Sequence, residues 1–161
     1  MSAARRDLEA ALDGVADQNE RTFQASRVIL AVLDRHGIAL SVVGGSAIAI
    51  WAPQLHTSRD IDLVGVADHQ TVDRIMRHDL GLARSGHHWH DDELRLAVEF
   101  TAIILEPEGA VPVEVDGVRV ISLEDLILDR VQAWEAIGAL DHLDQARALL
   151  HHPQVDRDRL E

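Results

Sequence analysis

Val42-Val43-Gly44-Gly45-Ser46-Ala47 is followed by Ser58-Arg59-Asp60-Ile61-Asp62-Leu63, with Gly45 and Asp60 fifteen positions apart. The first piece closes a β-rich run, Ile38 to Val43, and feeds a small apolar helix, Ser46 to Trp51, stopped before Pro53. A turn of this kind exposes backbone N–H groups at the positive end of a helix. Glycine lets the backbone approach a phosphate closely, and Ser46 adds a hydroxyl donor. The second piece reads as a strand, Arg59 to Val66, with Ile61 and Leu63 on one face. Asp60 and Asp62, two residues apart, point together to the other. Carboxylates held that close repel each other unless a hard cation sits between them. Mg²⁺ takes one or two carboxylates and fills its shell with substrate phosphates and water. An anion cradle therefore lies beside a divalent-cation clamp, separated by one short helix.

Upstream, residues 1–20 are polar and Ala-rich and are expected to form a loose helix or a frayed arm. From about Arg21, Phe23, Val28, Ile29, Val32 and Leu33 recur at helical spacing, and Gly37 fits the stop. Downstream, Asp68 is placed to cap a helix carrying Val72, Ile75 and Met76. Leu94, Leu96, Val98 and Phe100 alternate with Arg95, Ala97, Glu99 and Thr101, the pattern of a half-buried strand. Val113 to Val120 holds Asp116-Gly117, a two-residue hairpin signal. Ser122 caps a helix with Glu124 and Asp125 in its first turn and an apolar face of Leu126, Ile127, Val131 and Trp134. A last helix spans about Asp141 to Leu150, ending near Pro153. The order predicts an α/β (α+β) fold: a small mixed β-sheet flanked by helices, with a helical C-terminal tail. One domain is expected, with an arm at 1–20, a core at 21–121 and C-terminal helices at 122–161 packed on it.

Composition narrows the chemistry. The 161 residues include no cysteine, which excludes disulfides, thiolate metal sites and a cysteine nucleophile. All fifteen basic residues are Arg, so neither a lysine Schiff base nor a phosphate-loop lysine exists. Against 28 acidic residues they leave a net charge of −13, which repels phosphate backbones at long range. Long nucleic acid is not expected as a partner unaided. No apolar run reaches membrane-spanning length, and the opening residues lack the apolar stretch of a secretory leader. The expected compartment is the cytoplasm.

The segment resembles the nucleotidyltransferase superfamily of the DNA polymerase β type, in its small prokaryotic branches. The family pattern is a Gly-Gly-Ser helix start, an Asp-x-Asp strand and a third acid on a later strand. Gly44, Gly45 and Ser46 match the first part, Asp60 and Asp62 the second, and Glu99 is the candidate third acid. Some branches carry Arg-x-Thr-x-Asp-x-Asp. Here Ser58 stands at the Thr position and His56 at the Arg position. A second stretch, Val120-Ile121-Ser122-Leu123-Glu124-Asp125-Leu126-Ile127, is similar to a helix start in abortive-infection nucleotidyltransferases, toxin members included. Arg130 stands where those have Lys. Arg binds phosphate bidentately but does not shuttle protons.

The resemblance implies transfer of a nucleoside monophosphate from an NTP to a hydroxyl, releasing pyrophosphate. Gly44, Gly45, Ser46, Ser58 and Arg130 would bind the nucleotide phosphates. Asp60, Asp62 and Glu99 would hold Mg²⁺ or Mn²⁺, with Glu99 orienting or deprotonating the acceptor. The acceptor stays open among a small cationic molecule, RNA and a protein hydroxyl. The competing class is a catalytically inactive domain acting as an antitoxin or protein-binding partner of the toxin–antitoxin kind.

Each residue also has a plainer reading. Gly44-Gly45 suits any strand-to-helix turn, Asp60 and Asp62 suit a solvated strand face, and Glu99 suits an exposed strand position. Arg130 can pair along its own helix with Glu124, Asp125 or Asp129. The run His87-His88-Trp89-His90-Asp91-Asp92-Glu93 offers metal-ligating types but no closed ligand set, and reads as a polar turn between strands. Trp89 could stack a substrate ring but reads first as a core residue. His151-His152 reads as exposed.

Overall fold

The structure, a computed structural model, describes residues 1–103 and 109–160. The chain runs α1 (Ala3–Leu12), α2 (Gln18–Arg35), β1 (Ser41–Val43), α3 (Gly44–Trp51), β2 (Asp60–Val64) and α4 (His69–Arg74). A π-helical turn, Ile75–Asp79, leads to β3 (Ala83–Ser85), β4 (His88–Asp91) and β5 (Leu96–Thr101). Then come β6 (Val113–Val115), β7 (Val118–Val120), α5 (Leu123–Ile137), α6 (Leu140–Leu149) and a 3₁₀ turn, Arg157–Leu160. Among the described residues the strands form one seven-stranded mixed sheet, ordered β3-β4-β5-β2-β1-β7-β6. The expected mixed sheet, flanking helices and helical C-terminal tail are all present.

The local signals act as the sequence predicts. Asp68 caps α4 by accepting from the Thr71 N–H, and Ser122 caps α5 by accepting from the Asp125 N–H. Asp116 and Gly117 both take positive φ, 47° and 86°, in the tight turn joining β6 to β7. Along β5, Leu96, Val98 and Phe100 are buried while Glu99 and Thr101 face outward. They meet Ile61 and Leu63 of β2 in the core.

Three expectations change. Residues 1–20, expected as a loose helix or a frayed arm, contain a helix that is firmly packed. Ala4, Leu8 and Leu12, spaced four apart, form a stripe that α1 buries against α2 and the π-helical turn. Arg5 ties α1 further to the Leu80 carbonyl and the Asp91 carboxylate. The polar turn expected around His87–Glu93 is instead strand β4, because alternation buries Trp89 completely between outward-facing His88 and His90. The Trp89 indole N–H donates to Asp73, so this tryptophan is a core residue with a satisfied polar edge. His152 does not stand free: it lies edge-on to Trp51, with its Nε2 3.0 Å from the Trp51 carbonyl oxygen.

Candidate functional site

The site begins where β1 ends. Gly44 has φ +62°, and a Cβ there would lie 2.9 Å from Oδ2 of Asp62. Only glycine takes that backbone conformation without strain and leaves room for the carboxylate. A Cβ on Gly45 would lie 2.8 Å from Nε2 of His56. The two glycines are thus the floor on which an acid and an imidazole rest.

Ser46 is fully buried. Its hydroxyl donates to the Val43 carbonyl at 2.8 Å and accepts from the Asp62 N–H at 3.0 Å. Both capacities are used inside the protein, so the group expected to meet a phosphate instead rivets α3 to β2. The Ser58 hydroxyl is committed in the same way, donating to the Asp60 carbonyl at 2.7 Å. Asn19 of α2, which carried no signal in the sequence, organises the loop between them. Its amide donates to the Pro53 and His56 carbonyls at 3.0 and 2.7 Å, and its oxygen accepts from the Ser58 N–H at 3.0 Å.

Strand register assembles the acids. β2 and β5 run parallel, pairing Asp60 with Ala97 and Asp62 with Glu99. β4 runs antiparallel to β5 and pairs His88 with Glu99. Paired residues share a sheet face, so Asp60, Asp62, Glu99 and His88 lie together opposite the core. Asp60, His88, Ala97, Val98 and Glu99 line a cavity of about 170 Å³ there.

Burial, and after it the charges of Glu99 and Asp60, pushes the Asp62 carboxyl up to about 6. A backbone hydrogen bond from Ser46 and the charge of Arg130 act in the opposite direction. Arg130 of α5 is half-buried, paired with Asp129 at 2.5 Å, with its Nη1 3.3 Å from Nδ1 of His142. It therefore has the helix-surface partner expected of it and still bears on Asp62. Glu124 and Asp125, its other candidate partners, face Arg159 at 3.1 and 3.9 Å.

Among the described residues, no three His, Asp or Glu side chains converge as a ready-made metal cage. The three carboxylates are nevertheless of the donor type that a hard divalent cation takes. Asp60, Asp62 and Glu99 put carboxylates on one sheet face beside His88, and burial, with the charges of Glu99 and Asp60, raises the Asp62 carboxyl there.

No family model matches the sequence, and no curated protein matches it. Solved structures do match the fold. The antibiotic-resistance factor ANT(2'')-Ia, an aminoglycoside nucleotidyltransferase, superposes with a TM-score of 0.58 at 17% identity, over 82% of this chain and 83% of that one. The chain has the nucleotidyltransferase fold. An antigenic nucleotidyltransferase-like protein from Paracoccidioides brasiliensis is similar as well, with a TM-score of 0.59 at 14% identity, over 83% of this chain and 76% of that one. In this nucleotidyltransferase fold, the glycine turn lies against Asp62, and Asp60, Asp62 and Glu99 share one sheet face. The charge of Arg130, on α5, acts on Asp62. Ser46 and Ser58 serve the framework. His56, Asn19 and His88 are additions that sequence reasoning did not assign to the site. For His56, the signal was its place four residues before Asp60.

Proposed function

We propose that this chain transfers a nucleoside monophosphate from an NTP to a hydroxyl acceptor. The observation that supports this most is the register that sets Asp62 beside Glu99 while Gly44 makes room for the Asp62 carboxylate. A cradle of free N–H groups with three carboxylates beside it suits a polyphosphate bound together with a cation. Asp60, Asp62 and Glu99 are the residues to hold Mg²⁺ or Mn²⁺. Bound there, the ion supplies charge neutralisation for the acids and for the phosphates.

The residues divide the remaining work. The first N–H groups of α3 donate to the triphosphate oxygens, and Arg130 supplies a fixed positive charge on the α5 side. Glu99, next to the cavity, orients the acceptor hydroxyl and takes its proton. The bond from the acceptor oxygen to the α-phosphorus forms as the bond from the α-phosphorus to the β-phosphate oxygen breaks, and pyrophosphate leaves. Holding the reactants in line accounts for much of the acceleration. The acceptor enters over β4 and β5, across the acids from the glycine turn. An acidic face on a chain of net charge −13 favours a small cationic acceptor over RNA. The structural neighbour ANT(2'')-Ia is itself an aminoglycoside nucleotidyltransferase, which is consistent with that choice.

Isothermal titration of ATP, GTP, CTP and UTP, each with Mg²⁺, tests the reading. At least one nucleotide is expected to bind the wild-type chain and to lose Mg²⁺-dependent binding in Asp60→Asn and Asp62→Asn. Binding unchanged in both variants would overturn the assignment. Binding without turnover on any acceptor would favour a non-catalytic partner protein.

A further inference from the structure

The loop from Pro53 to Ser58 links the helix that starts the cradle to the strand that carries the acids. It is not loosely draped. Asn19 clamps it at three points, and one of them is the His56 carbonyl, at 2.7 Å. With its backbone held there, His56 brings its ring over Gly45, close enough that a Cβ on Gly45 would meet Nε2 at 2.8 Å. The ring is half-buried, and among the described residues it has no hydrogen-bond partner and no acidic neighbour in ion-pair range. A polar nitrogen has thus been brought to the mouth of the glycine turn with its bonding capacity unspent.

The electrostatics show what that capacity is for. A triphosphate must dock on a site with three carboxylates, in a chain that has no lysine. The two hydroxyls nearest the turn, on Ser46 and Ser58, are already bonded to backbone. Arg130 is partly neutralised by Asp129 at 2.5 Å. Among the described residues, the donors left at the glycine turn include the first N–H groups of α3 and the His56 ring.

We propose that His56 is a nucleotide-phosphate ligand, donating from Nε2 to the polyphosphate seated on Gly44-Gly45, and that Asn19 holds it in place. This rests on the nucleotidyl-transfer reading and adds to it the residue that compensates for the hydroxyls spent on the framework. A hydrogen bond to a charged phosphate is a strong one, so losing it should be legible in affinity.

The test is titration of the full chain with magnesium tripolyphosphate, which has no base to recognise. Each of the four Mg²⁺-NTPs and the four nucleosides follow in parallel. His56→Ala is expected to weaken tripolyphosphate and the preferred NTP alike, by roughly five- to tenfold. His56→Arg restores both, His56→Gln restores them in part, and nucleoside binding does not change. A residue that only packed against Gly45 would not discriminate phosphate from nucleoside, and the longer Arg would not rescue it. Thermal melting of each variant confirms that the fold is kept, and His56→Gln carries the test if His56→Ala is unstable. Wild-type affinity in both His56→Ala and His56→Gln, with Asp62→Asn abolishing binding, overturns the His56 assignment and leaves the nucleotidyl-transfer reading standing. No binding of tripolyphosphate or any NTP by the wild-type chain overturns both.

Discussion

At the scale of single residues, Asp62 and Gly44 answer for each other. The carboxylate occupies the space that any side chain at position 44 would need, and the turn needs a positive φ there. Gly44→Ala is therefore expected to lose about 1–3 kcal/mol of stability and the phosphate site with it, measured by urea unfolding and NTP titration. Asp62 also makes stability depend on pH. Its folded pKa of about 6 lies above the ordinary value of 3.8, so the native state holds the proton more tightly than the unfolded chain. The contribution is fully present below about pH 4 and is lost as pH rises through about 6, by at most about 3 kcal/mol. In the absence of divalent cations, Asp62→Asn should then melt at a higher temperature than wild type at pH 8 and at nearly the same temperature at pH 4. The same variant should have lost nucleotide binding. Equal melting temperatures at pH 8 would show that the carboxyl carries no such penalty.

At the scale of elements, the site depends on α1 and α2, which contribute none of its acids. α1 buries Leu8 completely, and Leu8→Ala leaves a cavity where α1, α2 and the π-helical turn meet. A loss of about 2–5 kcal/mol in urea unfolding is expected. α2 contributes Asn19, whose side chain makes three hydrogen bonds to the backbone of residues 53–58. Asn19→Ala leaves the half-buried His56 carbonyl and Ser58 N–H without this partner and should cost about 1–3 kcal/mol. Hydrogen exchange should localise the change to the loop before β2, with the β6–β7 hairpin unaffected. The hairpin and the capped starts of α4 and α5 were legible in advance, because Asp116-Gly117, Asp68 and Ser122 act through their immediate neighbours. The packing of α1 was not, because its short stripe of Ala4, Leu8 and Leu12 has no meaning until α2 is there to receive it.

For the whole molecule, an excess of negative charge meets a site that concentrates more of it. Three acids share one sheet face, and the chain carries −13 overall. A divalent cation that binds only the folded state stabilises it by mass action. Mg²⁺ at 5–10 mM (on the order of common assay levels) should raise the melting temperature of the wild-type chain at pH 8 by several degrees. Asp60→Asn/Asp62→Asn should not respond beyond the shift that an ionic-strength-matched NaCl control produces. A rise of the same size in the double variant would place the cation elsewhere.

The sequence by itself determined the order of elements apart from β3 and β4, the caps of α4 and α5, the hairpin and the coincidence of a glycine turn with an Asp-x-Asp strand. All of these are set by residues within a few positions of one another, through backbone preference and side-chain period. It also determined what is chemically impossible, since a chain without Cys or Lys cannot use their chemistry. Tertiary structure alone decided the rest. The pairing of β2 with β5 set Glu99 beside Asp62, and no spacing in the chain specifies a strand register. Burial turned the Ser46 and Ser58 hydroxyls inward onto backbone groups and made a strand of the histidine-rich run around Trp89. Asn19 and His56, 37 positions apart, came together at the glycine turn. Those outcomes depend on which surfaces pack against which, and packing is a property of the folded whole.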